Sequence, residues 1–327
     1  MHFTREAIQS AQRTVYSAMP PTPQYNWPLL RQALGFEVWV KHENHTPLGA
    51  FKVRGGLTYV DWLRRTQPDA RHLVSATRGN HGQSIGFAAK QHGLRATVVV
   101  PHGNSTEKNA AMRALGVELV EYGEDFQASS EYAAVLAQQD SLHRVPSYHP
   151  ELVLGVATAY VEFFEALRDA PPDVLYVPIG LGSGITGASV ARSYCGVKTR
   201  LIGVVSTLAP AYQKSFQSGV PIDAPATTAI ADGMACRSAV AEAVDVIRRE
   251  VDDVIAVSDE EVAGAMRLIY TSTHNVAEGA GAAALAAATQ QRDRWAGKRV
   301  GVVLSGGNVD AAVFARVLRN ERVVQAP

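Results

Sequence analysis

The sequence has little cysteine, no surplus of either charge and no long apolar run, and each shortage excludes a class of protein. Its two cysteines, Cys195 and Cys236, are too few for a disulfide framework, and their spacing matches no zinc-binding pattern. Lys and Arg number 31, as do Asp and Glu, so the formal net charge of +0 lacks the basic excess of typical nucleic-acid or membrane-surface binders. No apolar stretch approaches the roughly 20 residues of a transmembrane helix. Segment 1–19 predicts an amphipathic helix rather than a signal peptide, so we expect a cytoplasmic protein.

What the sequence does contain is enough apolar side chain for a large core. Of its 327 residues, 46% are hydrophobic and 19% are charged, which suits one large α/β unit or two lobes. Runs rich in Val, Leu and Ile alternate with helix-like segments, and they lie at 37–43, 72–76, 95–101, 117–123, 174–180, 200–206 and 299–306. Several lack alternating polar residues, as in strands covered on both faces. This order predicts an α/β fold, doubly wound around parallel sheets.

Three other segments have a distinct character. Segment 105–116 begins with a capping residue and stops at Gly116, which predicts a helix. The Ala-rich segment 277–289 predicts a tightly packed, buried helix. Segment 141–152 carries two prolines and no clear periodicity, so it is the best candidate for a linker.

Four loops place glycine and polar residues where predicted strands end, which is where open α/β sheets bind ligands. They lie at 47–56, 75–84, 177–187 and 304–310. In the first, Lys52 follows an apolar stretch and opens a helix. A lysine withdrawn from water has a lowered pKa and can act as a nucleophile, although a lone lysine is usually a solvated surface charge. In the second, free backbone N–H groups can hold a carboxylate or phosphate, although a simple N-cap by Asn80 also explains this loop.

The third loop fits the dinucleotide-binding pattern G-x-G-x-x-G from Gly182 to Gly187. That pattern requires an acidic residue about 20 positions further on. Segment 188–207 contains neither Asp nor Glu, and Lys198 and Arg200 leave a weak NADP alternative. The loop is therefore better suited to hold a single phosphate with its N–H donors. The fourth loop places Ser305 at a strand end, where its hydroxyl can bond a ring nitrogen.

Together the loops supply an amine, a phosphate site, a neutral hydroxyl and an anion-binding turn, which is the set that pyridoxal 5'-phosphate requires. On these motifs the chain resembles the serine/threonine dehydratase and serine racemase family of fold-type II pyridoxal-phosphate enzymes. The resemblance covers nearly the whole chain and rests on segments 41–56, 80–82, 180–184, 231–233, 278–279 and 305–310. The combination of TRGNHG with GLGSGITG is similar to a side branch that includes phenylserine dehydratases and dehydratases of hydroxyectoine breakdown.

The resemblance implies a two-lobed fold similar to the tryptophan synthase β chain, with open, mostly parallel sheets covered by helices. A large cofactor-binding domain would comprise residues 1–53 and 147–327, and a small domain would comprise residues 54–146. The resemblance also allows a homodimer.

The resemblance also implies roles for individual residues. Lys52 would hold the cofactor as a Schiff base and then remove the substrate α-proton. The residues expected to bind the cofactor are Phe51, Lys52, Asn80, Gly180, Leu181, Gly182, Ser183, Gly184, Gly233, Glu278 and Ser305. The residues expected to bind the substrate are Thr77, Arg78, Gly79, Asn80 and His81.

The implied reaction is dehydration and deamination of a β-hydroxy-L-amino acid of the phenylserine, threonine or serine type, giving a 2-oxo acid and ammonia. The rivals are an amino-acid racemase, another pyridoxal-phosphate β-lyase and an inactive cofactor-binding regulatory protein. Lys52 favours an active enzyme, because an inactive relative needs no amine there. Racemase-type members carry serine at the position of Arg78, and a guanidinium is a poor proton shuttle. Arg78 is either a surface ion pair or an anchor in the substrate pocket.

The chain also departs from the metal-dependent members of this family. Those members carry Glu and Asp six residues apart after the strand that here reads LIGV, where this sequence has Val205 and Ala211. A divalent cation would lack hard oxygen side chains there, so we expect no metal site.

Removal of divalent cations is therefore expected to leave both the rate of 2-oxo acid formation and the melting temperature unchanged. The measurement compares enzyme dialysed against EDTA with untreated enzyme. A large loss of rate that magnesium or manganese restores, and that sodium does not, would contradict the prediction.

Overall fold

The computed structural model describes residues 1, 3–321 and 323 and contains two β-sheets. In chain order the strands are β1 (Gln24–Asn26), β2 (Glu37–His42), β3 (His72–Ala76), β4 (Arg95–Val100), β5 (Glu118–Glu121), β6 (His143–Arg144), β7 (Val174–Pro178), β8 (Arg200–Ser206), β9 (Asp253–Val257) and β10 (Arg299–Leu304). The larger sheet has the order β1-β2-β10-β7-β8-β9, and the smaller has the order β5-β4-β3-β6. All neighbouring strands are parallel except β1 and β2, which confirms the predicted mostly parallel α/β fold.

Helices cover both sheets. They are α1 (Arg5–Tyr16), α2 (Pro28–Leu34), α3 (Lys52–Thr66), α4 (Asn80–Gln91), α5 (Thr106–Ala114), α6 (Phe126–Gln139), α7 (Pro150–Ala166), α8 (Ser183–Cys195), α9 (Ala211–Ser218), α10 (Ala241–Glu250), α11 (Asp259–Thr273), α12 (Gly279–Gln290) and α13 (Ala311–Leu318). Among the described residues, none of these helices is both long enough and apolar enough to cross a lipid bilayer.

The predicted elements recur with small shifts at their ends. All seven predicted strands are present, and three others, β1, β6 and β9, were not predicted. The Ala-rich segment forms α12, which is buried along most of its length and packs against α11 and the larger sheet. Segment 105–116 forms α5, whose N-cap Ser105 accepts a hydrogen bond from the backbone N–H of Lys108.

The segment predicted as a linker is more ordered than its two prolines suggested. Residues 143–144 form β6, which pairs with β3, and Pro150 begins α7, where a missing N–H is tolerated. The larger sheet draws strands from both ends of the chain, whereas the smaller sheet draws all its strands from residues 72–144. The predicted domain boundaries stay a prediction, and residues 2, 322 and 324–327 of the predicted large domain lie outside the described residues.

A buried cluster of charged side chains joins the end of β2, α3 and α7. The Arg54 guanidinium bonds the Glu43 carboxylate from Nε (2.7 Å) and Nη2 (3.0 Å), and it bonds the Glu162 carboxylate from Nη1 (2.6 Å) and Nη2 (2.9 Å). Lys41 Nζ lies 2.6 Å from Glu162 Oε2. Burial alone would lower the pKa of Arg54, but the two carboxylates raise it above its usual value, so the guanidinium stays charged.

Replacing Arg54 by methionine is expected to lower the free energy of unfolding by about 3–5 kcal/mol, because it leaves two buried carboxylates with Lys41 as their remaining cation. The measurement is urea unfolding followed by circular dichroism.

The matched control is Arg65→Met, which removes an exposed ion pair with Asp61, 3.1 Å away on the same helix. This change is expected to cost at most about 1 kcal/mol. Equal losses in the two variants would show that the buried cluster has no special effect on stability.

Candidate active site

A cleft of about 830 Å³, open to solvent on one side, is lined by strand ends from both sheets. Ala76, Pro178 and Ser305 stand at the carboxyl ends of β3, β7 and β10 and contribute to its wall. The structure places every site residue predicted from the sequence in this one cleft, and these residues are Phe51, Lys52, Thr77, Arg78, Gly79, Asn80, His81, Gly180, Leu181, Gly182, Ser183, Gly184, Gly233, Glu278 and Ser305.

Lys52 is the first residue of α3, and neighbouring contacts fix its backbone. The Phe51 N–H donates to the Ser305 carbonyl (3.0 Å), and Ser84 Oγ donates to the Lys52 carbonyl (2.6 Å). The side chain enters the cleft, where Nζ donates to Ser183 Oγ at 3.2 Å. Burial lowers the pKa of Lys52 to about 8, so a substantial fraction of the amine is neutral in mildly alkaline solution.

The glycine loop after β7 brings the start of α8 to the amine of Lys52. Gly182 caps this helix with φ +97°, and a Cβ there would lie 2.7 Å from the Cβ of Ala243, so both backbone and space favour glycine. The Tyr212 hydroxyl donates to the Leu181 carbonyl at 2.9 Å and holds the loop. The first N–H groups of a helix have no acceptor within the helix, so α8 offers an anion site beside Lys52.

The loop after β3 brings the start of α4 to the same cleft. Gly79 has φ +155°, and a Cβ there would lie 2.4 Å from Lys108 Cδ. The Gly79 N–H donates to Thr77 Oγ1 at 3.0 Å. The N–H groups of the first turn of α4 have no acceptor within the helix, so they can bind a ligand. His81 is buried beside them, and its Nε2 has no hydrogen-bond partner among the described residues. Burial, with a smaller effect of Lys52, lowers the pKa of His81 to about 3, so its ring is neutral.

A polar network crosses the back of the cleft. Lys108 Nζ bonds Asp232 Oδ2 (2.6 Å) and Glu278 Oε2 (2.9 Å), and Asn80 Nδ2 donates to Glu278 Oε1 (2.6 Å). Burial raises the pKa of Glu278, while the two carboxylates outweigh burial and raise the pKa of Lys108. The Asn80 amide group has two hydrogens, so one remains for a ligand.

Lys108 was not predicted as a site residue. It stands in the first turn of a predicted helix, where a lysine is usually solvated, and nothing in its local sequence marks it. Asp232 was noted as part of a motif but not as a partner of Lys108.

Arg78 and Cys236 also line the cleft. Arg78 Nε is buried and has no hydrogen-bond partner within the described part of the chain. Of the two interpretations of Arg78, the surface ion pair finds no carboxylate partner among those residues, and the pocket position is the one observed. The thiol of Cys236 is close enough to Lys52 and Arg78 to be affected by their charges. Burial raises its pKa to about 11, although Lys52 and Arg78 oppose the rise.

These donors fit pyridoxal phosphate. The Lys52 amine lies beside the start of α8, so an aldehyde and a phosphate of one ligand can be bound together. The unpartnered nitrogens of His81 and Arg78 indicate that the cleft has room for acceptors that the protein itself does not supply. Within residues 1, 3–321 and 323, no three His, Cys, Asp or Glu side chains are grouped as metal ligands would be.

Comparison with known proteins agrees with this site. The chain is 32% identical to an L-threonine ammonia-lyase of Thermotoga maritima, over 97% of this chain and 78% of the relative. It is 33% identical to an L-threo-3-hydroxyaspartate ammonia-lyase of a Pseudomonas species, over 91% of this chain and 93% of the relative. It is 30% identical to a serine racemase of Schizosaccharomyces pombe, over 96% of this chain and 97% of the relative.

The solved structures and the family pattern agree with these relatives. The structure of a T.th. threonine deaminase superposes with a TM-score of 0.86 at 28% identity, and the match covers 94% of this chain and 99% of that chain. The sequence pattern of the family described as "Pyridoxal-phosphate dependent enzyme" matches residues 15–306. The chain therefore belongs to the family of pyridoxal-phosphate-dependent enzymes.

Proposed function

We propose that this protein is a pyridoxal-phosphate-dependent ammonia-lyase that converts a β-hydroxy-L-amino acid to a 2-oxo acid and ammonia. The observation that carries the proposal is the placement of Lys52 Nζ 3.2 Å from Ser183 Oγ, at the free N–H groups that begin α8. The relatives support the reaction class, because two of those compared are named ammonia-lyases.

The cofactor-binding part of the proposal follows the geometry of the cleft. Lys52 would hold the aldehyde carbon, and the loop from Gly180 to Gly184 would hold the phosphate. Phe51, Asn80, Gly233, Glu278 and Ser305 would surround the ring. Pyridoxal phosphate, when bound, supplies an electron-withdrawing ring that acidifies the α-hydrogen of an attached amino acid.

The chain's own residues would position and deprotonate the substrate. The first-turn N–H groups of α4, with the hydroxyl of Thr77, suit an α-carboxylate. Lys52 Nζ, with its pKa lowered to about 8, can accept the α-proton of the substrate. Ser305, which lines the cleft, would offer a neutral hydroxyl to the ring nitrogen of the cofactor, where it would moderate electron withdrawal and favour prompt elimination.

The overall reaction is balanced without an oxidant or a reductant. The substrate loses its α-hydrogen and its β-hydroxyl as one water molecule. The enamine that remains takes up one water molecule and releases ammonia, which leaves the 2-oxo acid. Substrates of the phenylserine, threonine and serine types all satisfy this scheme.

The proposal extends to the organisation of the protein. The larger sheet takes its strands from both ends of the chain, and the smaller sheet takes its strands from the stretch between them. This division supports a large domain of residues 1–53 and 147–327 and a small domain of residues 54–146. An amino-acid substrate fits the enzyme relatives. The cytoplasmic location and the homodimer stay predictions.

The rival function is an amino-acid racemase, which one relative's name supports. Racemisation needs an acid on the face of the substrate opposite Lys52. Arg78 occupies the position where racemase-type members carry serine, and an arginine with a pKa above about 12 does not release that proton at neutral pH. Arg78 therefore favours the lyase.

Lys52→Ala is expected to lower turnover by several orders of magnitude, because the variant loses both the covalent attachment and the α-proton base. A second measurement needs no variant: borohydride reduction of the holoenzyme followed by peptide mass spectrometry should find the cofactor mass on Lys52. The control is Lys108, a second lysine of the cleft, which is held protonated by Asp232 and Glu278. Attachment at Lys108, or substantial activity of the alanine variant, would refute the assignment.

During turnover of an L-substrate by the unmodified enzyme, 2-oxo acid and ammonia are expected to accumulate with negligible D-isomer, because Arg78 cannot donate a proton to the second face. The measurement is chiral chromatography of the residual substrate. If the D-isomer builds up as fast as the 2-oxo acid, the enzyme is a racemase and the lyase proposal is wrong.

A further inference from the structure

A side cavity, which we call the alcove, adjoins the cleft. The two have in common the lining residues Arg78, Phe126, Leu181, Ala235 and Cys236, so their walls are shared. The alcove encloses about 460 Å³, including the solvent at its mouth. It therefore offers space for a substituent that extends beyond the substrate's reacting carbons.

Among the permanent cations that line the cleft and the alcove, Arg78 differs from the other two in its partners. Lys108 is held by two carboxylates, and Arg237 Nη1 lies 2.9 Å from Asp125 Oδ2. For Arg78 the described residues provide no carboxylate within ion-pair distance, and its Nε is buried without a hydrogen-bond partner. Arg78 is half-buried, and a guanidinium that is partly shielded from water without an anionic partner is unfavourable, so this position favours a ligand that brings a carboxylate.

The α-carboxylate common to all amino acids has other donors. The first-turn N–H groups of α4 directly follow Thr77 and Gly79 in the same loop. The Arg78 charge instead lowers the pKa of Cys236 against burial, which places the guanidinium within electrostatic reach of that thiol on the alcove wall. Arg78 thus lines the alcove as well as the cleft.

We propose that Arg78 is a specificity-determining residue that pairs with a carboxylate on the β-carbon of the substrate. The preferred substrate class is then a β-hydroxy dicarboxylic amino acid. This inference rests on the proposed function, which it deepens by naming the substituent that the alcove receives.

Other substituents on the β-carbon of the substrate interact less favourably with the residues that line the alcove. The methyl group of threonine leaves the guanidinium without an anion. A phenyl group fills the space beside Phe126 and Leu181 but provides no acceptor for the guanidinium N–H groups, which then lose water without replacement. A carboxylate can accept two parallel hydrogen bonds from the planar guanidinium group.

The test compares L-aspartate with L-asparagine, which have nearly the same shape and differ in charge. Neither has a β-hydroxyl, so binding is measured without dehydration, through the change in cofactor absorbance as the holoenzyme is titrated. The unmodified enzyme is expected to bind aspartate about 10- to 100-fold more tightly than asparagine, as for one charge-assisted pair. Arg78→Gln is expected to bring the ratio close to one, and Arg78→Lys to retain part of it.

The matched control is Arg237→Gln, which removes the other guanidinium of the alcove. Because Arg237 is already paired with Asp125, this change is expected to leave the aspartate-to-asparagine ratio unchanged. Circular dichroism checks that each variant is folded. If Arg78→Gln does not fold, the ratio in the unmodified enzyme and in Arg78→Lys still decides the matter.

Turnover gives the second measurement. The kcat/KM of L-threo-3-hydroxyaspartate is expected to exceed those of threonine and phenylserine, and Arg78→Gln should reduce the first far more than the other two. Equal losses for all three would assign Arg78 to the α-carboxylate and overturn the inference, as would a ratio near one in the unmodified enzyme or a preference for phenylserine.

The two proposals fail in different ways. If threonine or serine gives a 2-oxo acid and hydroxyaspartate does not, the proposed lyase function is supported and the inference about Arg78 is wrong. If no β-hydroxy amino acid gives a 2-oxo acid, the proposed lyase function is wrong. The titrations with aspartate and asparagine still test whether Arg78 binds a β-carboxylate.

Discussion

The position of the reactive amine depends on a guanidinium that lies two residues away and never faces the cleft. Arg54 bonds both oxygens of Glu43 and both oxygens of Glu162, so α3 is fixed against β2 and α7 together. Buried ion pairs contribute little net stability, because the loss of hydration offsets much of the attraction. Their geometry is demanding, however, and any rotation of α3 would break several short bonds at once. The cluster therefore defines the direction in which Lys52, at the start of α3, enters the cleft.

Two helix starts line the cleft, and they follow strands of different sheets. Helix α8 follows β7 of the larger sheet, and α4 follows β3 of the smaller sheet. Both present unpaired N–H groups and the positive end of a helix dipole to the same space. A ligand with a phosphate at one end and a carboxylate at the other satisfies both. Lys108, on α5 beside the smaller sheet, then bonds Asp232 and Glu278 and ties the two sides together.

Sequence alone predicted most of the fold, because strands buried on both faces leave continuous apolar runs. It missed β1 and β6, which have three residues and two residues and so carry no periodicity, and β9, whose run DVIAV was not recognised. It also predicted a single cleft for all the site residues, because motifs at strand ends meet at one edge. It could not predict the partners of Lys108, or that Arg78 has no carboxylate partner among the described residues. Both depend on which side chains, distant in the sequence, the fold brings close to Lys108 and Arg78. The neighbouring residues in the sequence do not indicate this.

The backbone that presents Lys52 is held by the last strand of the larger sheet to be synthesised. The Phe51 N–H donates to the Ser305 carbonyl, and β2 pairs with β10 along its whole length. A ribosome releases the chain from its N-terminus, so β2 waits for β10 while roughly 250 residues are still being added, as expected for a sheet of high contact order. The smaller sheet, made from a continuous stretch of chain, can form in the meantime. Capture of the cofactor must therefore wait until β10 has emerged, and until then β2 has an unpaired edge on which nascent chains can aggregate or a chaperone can act.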